Sequence, residues 1–537
     1  MPPKSILVLG GGLSGLSSAF HLSRRFPTVP ITLLEHSNRL GGWVRSERVK
    51  VRDNQGHEAS ILLEGGPRTL RPNGKSVVEL VNLLGLHESV ITVPKSAPAA
   101  KNRFLHIPGT NGLTPLPNSL LSVFTSPIRT VLLGGVLGEP FRARTNWRPA
   151  FNHYNDMSFD DFLTYHFGAD FARLMGSALA HGIYAADSRL VSVRAAFPSL
   201  WDMAGENGTE SIVLNTFKRA CGFGKSDLKA VAESSAQSYD LGNVEAGLKD
   251  ASVFSFRDGA EALVQALERE LERRQNVTIL KSHGIAAISK DTRSGDFVVS
   301  DASDVRHLCS HVVSSISLPS LHSVLEFSRS RELNSLGIDH INPPQLPHLV
   351  SNPSSSVTVI NLIFPPTPGG AIHPDGFGYL VPRKENDTEI GKVNYDSLED
   401  RLLGVVFDSC ALSAQDVYPP GTNSNRTFTK LTLMLKGASE ANMPSEGDLL
   451  ALLSKHLVPR APIPPPVFMR VHLSKDCIST PSVGHLERMA ELRKALGGTE
   501  KDSFWGGRFE VLGAGVGGVS VPDCIEQGRR LALRWSR

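Results

Sequence analysis

The first 35 residues carry the pattern that most constrains the fold. An apolar run, Ile6–Leu9, enters a glycine-rich turn, a helical stretch follows to about Arg25, and a second apolar run ends on Glu35. Strand, turn, helix, strand and acid in this order predict a Rossmann-type βαβ unit. In such a unit the free amides and the positive dipole end of the helix face a dinucleotide pyrophosphate.

Three glycines and one acid have separate tasks in this unit. Gly10 allows a sharp turn, Gly12 lets the backbone approach a pyrophosphate, and Gly15 lets the helix pack close to the sheet. Glu35 suits a ribose 2′-hydroxyl and argues against the 2′-phosphate of NADP. The alternative is a plain βαβ turn without a ligand. The predicted dinucleotide contacts here are Gly10, Gly11, Gly12, Leu13, Ser14, Gly15, Glu35 and His36.

Composition excludes several function classes. The chain has 537 residues, 40% hydrophobic and 20% charged, which predicts two or three globular domains. A formal charge of +3 without a block of like charges gives no sign of nucleic-acid binding. The five cysteines are far apart and odd in number, so we expect no disulfide framework and no metal site. Because the first strand begins about five residues into the chain, we also expect no cleavable leader.

Further strand and helix patterns return late in the chain. A helix is expected from Ala260 to Arg274, a hairpin from strands near 285–289 and 297–299, and a final strand, glycine turn and helix from Phe509 to Trp535. We therefore predict an α/β (α+β composite) fold with a cofactor domain built from discontinuous segments. The predicted domains are 1–95, 250–325 and 480–537 for the cofactor; 96–110 and 326–479, with a mixed sheet, for the substrate; and a helical domain, 111–249, with a flexible polar insertion near 225–249.

The segment from 116 to 141 is the most apolar part of the helical region. Polar residues and glycines interrupt it, and it does not reach the ~18 apolar residues that a bilayer-spanning helix needs. It suits a helix pair lying on a membrane surface, with basic residues facing headgroups. The alternative is an ordinary core helix pair. The basic residues are Arg129, Arg142, Arg144 and Arg148.

Two more glycine turns and one arginine are candidate site elements. The turn at 64–68 places Arg68 where its charge would lie near a cofactor ring or its phosphates, and the run at 513–518 precedes a helix start. Arg103 suits a substrate carboxylate because a guanidinium binds both oxygens. Structural turns and a solvated arginine are the alternatives. No nucleophile–histidine arrangement or metalloprotease motif stands out, so a cofactor is expected to carry the chemistry.

The motifs together resemble the oxygen-dependent protoporphyrinogen IX oxidases of the amine-oxidase-like FAD superfamily. Arg39-Leu40-Gly41-Gly42-Trp43, directly after the acid, is similar to the FAD-type continuation. The resemblance covers nearly the whole chain, and its most specific pieces are HGIYAADSRLVSVRAAFPSL and GFGYLVP. Other pieces are LGGGLSGL, HSNRLGGWVRS, LEGGPRTLRP, KNRFLHIPG, HLSKDCIS and GVSVPDCIEQGR. The stretches near 225–250 and 340–356 match poorly.

The resemblance implies a reaction and a location. Protoporphyrinogen IX would lose six electrons to give protoporphyrin IX, with FAD accepting hydride and molecular oxygen becoming hydrogen peroxide, in heme biosynthesis. It also implies a homodimer bound to the mitochondrial inner membrane, peripheral or monotopic, on the intermembrane-space side. A contact with the next enzyme of the heme pathway is a further implied partner. The implied reacting centre is flavin N5, and we assign no general base.

The resemblance also assigns residues. Arg103 resembles the arginine that holds a propionate, Gly182 the glycine under the tetrapyrrole, and Phe377, Leu380 and Met434 the walls of the macrocycle pocket. Arg173, His181 and Arg189 lie near this set in the sequence pattern without a firm role. The implied FAD contacts beyond the first unit are Arg39, Gly42, Trp43, Gly66, Pro67, Arg68, Thr69, Ile285, Ala514, Val519, Ser520 and Val521.

Three other functions compete with this interpretation. An FAD-dependent amine oxidase or a polyene desaturase would share the fold, although we find no clear equivalent of the lysine and aromatic cage of amine oxidases. A non-catalytic FAD-fold scaffold is the third alternative. The intact glycines at 10, 12 and 15, together with the intact pocket motif, weigh against the scaffold.

Overall fold

The N-terminal strand lies at the centre of a five-stranded parallel sheet in the computed structural model. The structure describes residues 2–143, 155–220, 238–330, 340–367, 371–395, 397–422, 427–497 and 503–535. All four residues of the central strand are buried, which explains its continuous apolar sequence. The sheet order is Phe509–Val511, His311–Ser314, Ile6–Leu9, Ile31–Glu35 and Val277–Lys281.

Helices on this sheet bring the two chain ends together. The helix Leu13–Arg25 packs against the last helix, Val521–Arg534, where Gly528 faces the first helix. A Cβ on Gly528 would lie 2.6 Å from the Ser18 backbone nitrogen, so only glycine allows this spacing. The other helices outside the helical region are Lys75–Leu83, Pro98–Lys101, Val244–Leu248, Glu261–Glu272, Leu318–Ser330, Leu398–Arg401, Asp408–Ala411, Glu446–Leu457, His485–Gly497 and Ala514–Gly517.

A four-stranded antiparallel sheet flanks the parallel one. Its order is Arg306–Cys309, Phe297–Asp301, Ile285–Asp291 and His340–Ile341. The register between the second and third of these strands confirms the predicted hairpin. Smaller pairs are Ser46–Arg52 with Glu58–Glu64, and Val90–Pro94 with Ala251–Phe256. Short 3₁₀ turns cover His87–Ser89, Ser413–Gln415 and Glu440–Asn442.

Two segments pack in a region other than the predicted one. Val244 and Leu248 are buried in the core around the first helix, although we assigned 225–249 to the helical domain as a loose insertion. Leu346 and Leu349 are buried with the strands of the parallel sheet, although we assigned 326–479 to the substrate domain. Both segments are mostly polar in sequence. Their positions follow from the burial of these few apolar side chains. Residues 221–237 lie outside the described residues.

A seven-stranded sheet combines strands between residues 354 and 479 with two short strands near residues 104–115. Its order is Phe468–Ser479, Ser354–Phe364, Thr429–Lys436, Leu402–Val406, Gly378–Leu380, Phe104–Leu105 and Thr114–Pro115. All neighbours are antiparallel except Gly378–Leu380 with Phe104–Leu105. We did not predict the edge strand Phe468–Ser479. Most of its residues are half-buried, so no clear apolar alternation marks it in the sequence.

Helices dominate residues 120–220, as predicted. Phe159, Phe162 and Trp201 form the centre of their apolar core, and the Glu139 carboxylate meets His166 Nδ1 at 2.9 Å inside it. No helix of the described residues has both the length and the apolar character needed to cross a bilayer. Arg144 and Arg148 lie outside the described residues. The elements are Leu120–Thr125, Arg129–Arg142, Phe159–Phe167, Ala169–Phe171, the π-turn Ala172–Gly176, Ser177–Tyr184, Val193–Ala196, Pro198–Met203 and Ile212–Ala220.

Candidate functional site

The glycine turn after the first strand leaves open space at the start of the first helix. A Cβ on Gly15 would lie 1.9 Å from the Gly10 carbonyl oxygen, so the turn closes only with glycine there. A Cβ on Gly12 would meet no atom within 4 Å. Gly12 is also the N-cap, which offers no side-chain hydrogen bond, and the first helical turn contains no acid. Its amides therefore remain available to an anion, which fits a pyrophosphate.

Glu35 is held beside this turn. Its carboxylate accepts hydrogen bonds from the Gly11 amide at 2.7 Å and from the Ser37 amide at 2.8 Å. A carboxylate has about four acceptor positions, so a ribose hydroxyl can be added. His36 is next in the chain, and a Cβ on Gly284 would lie 2.6 Å from its Nδ1. Gly284 thus brings Ile285 close to the acid, as a contact on the adenosine side requires.

The loop after the second strand lies against the glycine turn. The Gly41 amide donates to the Gly11 carbonyl at 2.9 Å, and Gly42 packs on Gly12. Arg39 uses its guanidinium inside the loop, donating to the Leu40 and Val44 carbonyls at 3.0 Å each and to the Gly42 carbonyl. Arg39 therefore shapes the loop, and its guanidinium is not free for a phosphate.

Trp43 marks where this loop meets the second glycine turn. A Cβ on Gly66 would lie 2.0 Å from the Trp43 carbonyl oxygen, so Gly66 is required for the close approach. The Trp43 side chain stays 50% exposed, as expected for a ring with a bound partner to cover it. Pro67 and Thr69 are half-buried next to it.

Arg68 is a buried cation. Its side chain, whose charge we placed near a cofactor ring or its phosphates, forms an ion pair with Asp408 at 3.0 Å, while its Nη2 has no hydrogen-bond partner among the described residues. Its carbonyl accepts from the Ser255 hydroxyl at 2.7 Å. A buried guanidinium needs an opposite charge, and Asp408 supplies it from the far side of the chain. Arg68 therefore ties the glycine turn to the seven-stranded sheet.

Glu64 is a buried acid in this network that sequence reasoning missed. It accepts from the Ser46 hydroxyl at 2.6 Å and from the Ala260 amide at 2.9 Å. Burial raises the pKa of its carboxyl to about 7, against the effect of these hydrogen bonds. Lys430 and Asp416, a buried pair at 2.9 Å, lie close by. Their partners are too distant in the sequence for spacing to reveal them.

The C-terminal glycine run leads into the last helix through a structural turn, one of the two interpretations that its sequence allows. Ser520 and Asp523 form a capping box at the start of that helix. The preceding turn begins at Ala514 after Gly513, whose φ is +121° and whose amide donates to Gln527 Oε1 at 2.9 Å. Val519 and Val521 are half-buried on either side of the capping serine.

A second set of residues surrounds Arg103. Its Nη1 donates to the Ala100 carbonyl at 2.8 Å, and its guanidinium lies 6.0 Å from the centre of the Phe377 ring. Among the described residues no acid lies within ion-pair distance of Arg103. Burial, together with the charge of Arg71, lowers the pKa of this guanidinium. Two neighbouring cations, of which Arg103 is exposed and has no acidic partner among the described residues, form a suitable site for a carboxylate.

Gly182 lies in the helix Ser177–Tyr184 and packs on Leu380 of the seven-stranded sheet. A Cβ on Gly182 would lie 2.9 Å from Leu380 Cδ2, so Leu380 covers the glycine directly. Met434 lies two strands from Leu380, with Gly404 between them. Phe377, Leu380 and Met434 pack in three different apolar clusters, so the structure brings only Gly182 and Leu380 of this set into direct contact.

The three residues without a firm predicted role, Arg173, His181 and Arg189, do not carry an unpaired positive charge. His181 Nδ1 donates to the Val381 carbonyl at 2.7 Å, and burial lowers the pKa of its imidazole to about 3. Arg189 pairs with Asp187 at 2.6 Å, and Arg173 with Asp170 at 3.4 Å. None of them offers a charge to a second propionate in this arrangement.

Comparison with known proteins agrees with this geometry. Residues 13–534 match the family of flavin-containing amine oxidoreductases. The chain belongs to this family. It is an oxidoreductase with FAD as its cofactor, and the open first-helix start, Glu35 and the 39–43 loop are the residues that would hold it.

Several curated relatives span nearly the whole chain. Human protoporphyrinogen oxidase is 30% identical over 542 residues, with 99% of this chain and 98% of the relative covered. The protoporphyrinogen oxidase of Schizosaccharomyces pombe is 27% identical, with 99% and 98% covered. Coproporphyrinogen III oxidase of Staphylococcus aureus is 22% identical, with 98% and 97% covered.

A solved structure shows the same fold. It is a protein of Exiguobacterium sp. 255-15 with a provisional assignment as a protoporphyrinogen oxidase. The TM-score is 0.69 at 18% identity, with 99% of this chain and 98% of that chain covered. The likeness supports the mixed α/β fold of the predicted class.

Replacing Gly12 separates cofactor binding from folding. We expect Gly12→Val to lose FAD, because its side chain has room in the protein but would occupy the pyrophosphate space. Flavin absorbance per protein measures the loss, and thermal unfolding of the apoprotein should stay close to that of wild-type apoprotein. Gly247→Val, at a helical glycine with equal open space, is the control and should keep its flavin. A fully yellow Gly12→Val protein would contradict this site.

The raised pKa of Glu64 makes stability depend on pH. The folded carboxyl holds its proton up to about pH 7, whereas the unfolded one releases it near 4.5. The contribution of this proton to the free energy of unfolding is fully present below pH 4.5. It is lost as the pH rises through 7, by up to about 3 kcal/mol. Glu64→Gln should remove this loss in denaturant unfolding at pH 5 and pH 8. The control Glu58→Gln, at the exposed end of the same strand, should keep the pH dependence of the wild type. Parallel curves of unfolding free energy against pH for Glu64→Gln and wild type would refute the assignment.

Proposed function

We propose that this flavoprotein oxidises protoporphyrinogen IX to protoporphyrin IX in heme biosynthesis, with molecular oxygen as electron acceptor. The observation that carries the proposal is the position of Arg103. An exposed guanidinium without an acidic partner among the described residues lies beside Phe377, which precedes the strand Gly378–Leu380. Gly182 packs on Leu380 from a neighbouring helix. A flat apolar ring with a propionate at one edge fits such a set.

The reaction balances over three rounds. Protoporphyrinogen IX and three O₂ give protoporphyrin IX and three H₂O₂, so each round transfers two electrons and two protons. Bound FAD supplies hydride acceptance at N5 and passes the electrons to oxygen. The protein is left with binding and orientation, which decide which ring carbon faces the flavin.

The chain's own residues have distinct parts in this binding. Arg103 pairs with a propionate, Phe377 and Leu380 line the ring, and Gly182 lets Leu380 pack directly against the helix Ser177–Tyr184. His181 lies next to Gly182 but is not suited as a base, because its pKa of about 3 makes it a weak proton acceptor. We assign no general base.

Coproporphyrinogen III is the competing substrate. A relative named for its oxidation is similar over nearly the whole chain. Coproporphyrinogen carries four propionates, whereas protoporphyrinogen carries two propionates and two vinyl groups. The apolar contacts of Leu380 with Gly182 favour the substrate with fewer charges.

The helical region is the proposed contact with a membrane surface. Leu121, Phe124, Leu137 and Phe141 on its first two helices are each more than 60% exposed. Apolar side chains clustered in this way gain free energy when they enter the interfacial layer of a bilayer. The remaining proposals are based on the resemblance to the oxidase family. They are that the protein is a homodimer on the mitochondrial inner membrane, that it faces the intermembrane space, and that it contacts the next enzyme of the pathway.

An aerobic assay on the detergent-purified holoenzyme tests the function. With protoporphyrinogen IX, porphyrin fluorescence should grow together with about three peroxides per porphyrin, as the electron balance requires. Parallel reactions contain coproporphyrinogen III or a primary amine, and Gly12→Val serves as the flavin-free control. A faster reaction with either alternative substrate would reject the proposal, as would bound flavin with no fluorescence gain.

Replacing Arg103 tests the propionate contact. Arg103→Ala should raise KM by ~10–100-fold, the range expected for losing a charged hydrogen bond, with little change in FAD content. Arg103→Lys should recover part of the loss because the charge remains. Lys101→Ala, at an exposed neighbouring position, is the matched control and should keep the wild-type KM. An unchanged KM in Arg103→Ala would show that the carboxylate binds elsewhere.

A further inference from the structure

Two histidines and a glutamate from distant parts of the chain meet behind the strand Gly378–Leu380. His106 follows the strand Phe104–Leu105, Glu399 lies in the helix Leu398–Arg401, and His456 lies in the helix Glu446–Leu457. One nitrogen or oxygen atom from each lies within 4.8 Å of the other two. Both histidine side chains are 0% exposed. This cluster is separate from Arg103 and from the cofactor residues.

The two inner ring nitrogens lack partners. His106 Nε2 and His456 Nε2 are buried and form no hydrogen bond within the described structure. The nearest charge to His106 Nε2 is Glu399 Oε1, at 3.5 Å, which is beyond a good hydrogen bond. Folded proteins rarely leave buried polar atoms unpaired. Two of them beside a carboxylate require a ligand that accepts several lone pairs at once.

The outer ring nitrogens have the partners that metal-binding histidines use. His106 Nδ1 donates to the Gly112 carbonyl at 3.0 Å, which leaves the lone pair on Nε2. His456 Nδ1 lies 3.0 Å from the Tyr379 phenol oxygen. When the imidazole proton is on Nδ1, the lone pair of His456 Nε2 is also free to bind a metal ion. Such outer hydrogen bonds fix the tautomer and orientation of metal-bound histidines.

We propose that His106, His456 and Glu399 bind one divalent metal ion of the zinc class, with water as a fourth ligand. Two imidazoles and a carboxylate form a ligand set that zinc prefers. The two rings are stacked 3.4 Å apart with an interplanar angle of 17°, so they must splay apart about the Nδ1 hydrogen bonds, which act as pivots, to reach bonds of about 2.0–2.1 Å. Lys455 holds Glu399 at 2.8 Å, and its half-exposed side chain can turn to solvent.

The bound ion would restrain the strand that carries the proposed substrate contacts. His106 is three residues after Arg103, and Tyr379 lies between Phe377 and Leu380. A metal at this position links these two strands to the helix Glu446–Leu457 and limits their movement. Binding should therefore raise the thermal stability of the holoenzyme, whatever substrate it oxidises.

Metal titration of the full-length holoenzyme tests the site. After treatment with a chelator, wild type should bind one zinc ion per chain in competition with a chromophoric chelator, and its unfolding temperature should rise. X-ray absorption should show nitrogen and oxygen ligands only, with two imidazoles. His456→Gln and Glu399→Gln should each lower affinity at least ~10-fold. Flavin content reports folding, and Glu399→Gln decides the result if His456→Gln loses its flavin.

The second histidine–acid cluster provides the control. His283 Nδ1 and His307 Nε2 already meet Asp301 at 2.7 Å and 3.3 Å, so their ligand atoms are satisfied without a metal. His283→Asn should bind zinc like wild type. Sulfur among the zinc ligands, loss of zinc in His283→Asn, or full retention in His456→Gln and Glu399→Gln would each overturn the proposal. Failure to bind one ion per chain would do the same.

Discussion

The buried ion pair between Arg68 and Asp408 fixes the cofactor side of the molecule to the substrate side. Both side chains are less than 10% exposed and meet at 3.0 Å. Neither charge is stable in this environment alone, and removing one partner of such a pair costs about 3–5 kcal/mol. The glycine turn at 65–69 therefore has one position relative to the seven-stranded sheet. The proposed arrangement of flavin and substrate depends on that position.

A hydrogen-bonded network extends this connection into the sheet. Thr432 donates to the Asp408 carboxylate, and Asn361 donates to Thr432 Oγ1 at 2.7 Å and to the Glu64 carbonyl at 3.2 Å. Thr432 and Met434 are two residues apart on one strand, so they face the same side of the sheet. The face that holds the cofactor turn also carries a proposed wall of the pocket. A shift in the network would displace both.

Patterns confined to one element predicted the fold well. The first βαβ unit and the hairpin near 285–299 were confirmed because continuous burial and strand alternation leave their mark within a few residues. The edge strand Phe468–Ser479 was missed because its half-buried faces alternate weakly. A glycine turn shows that Arg68 is near, but the sequence did not show that its side chain pairs with Asp408.

The sequence by itself determined the βαβ unit, the family and the cofactor, because glycine spacing and one acid are local requirements of binding a dinucleotide. Through the resemblance it also predicted substrate contacts at Arg103, Gly182 and Leu380. Only the tertiary structure decided which charges are free: Arg68 and Arg39 are used within the protein, whereas Arg103 has no acidic partner among the described residues. It alone brought His106, Glu399 and His456 together, since long-range contacts leave no periodic signal in a single chain.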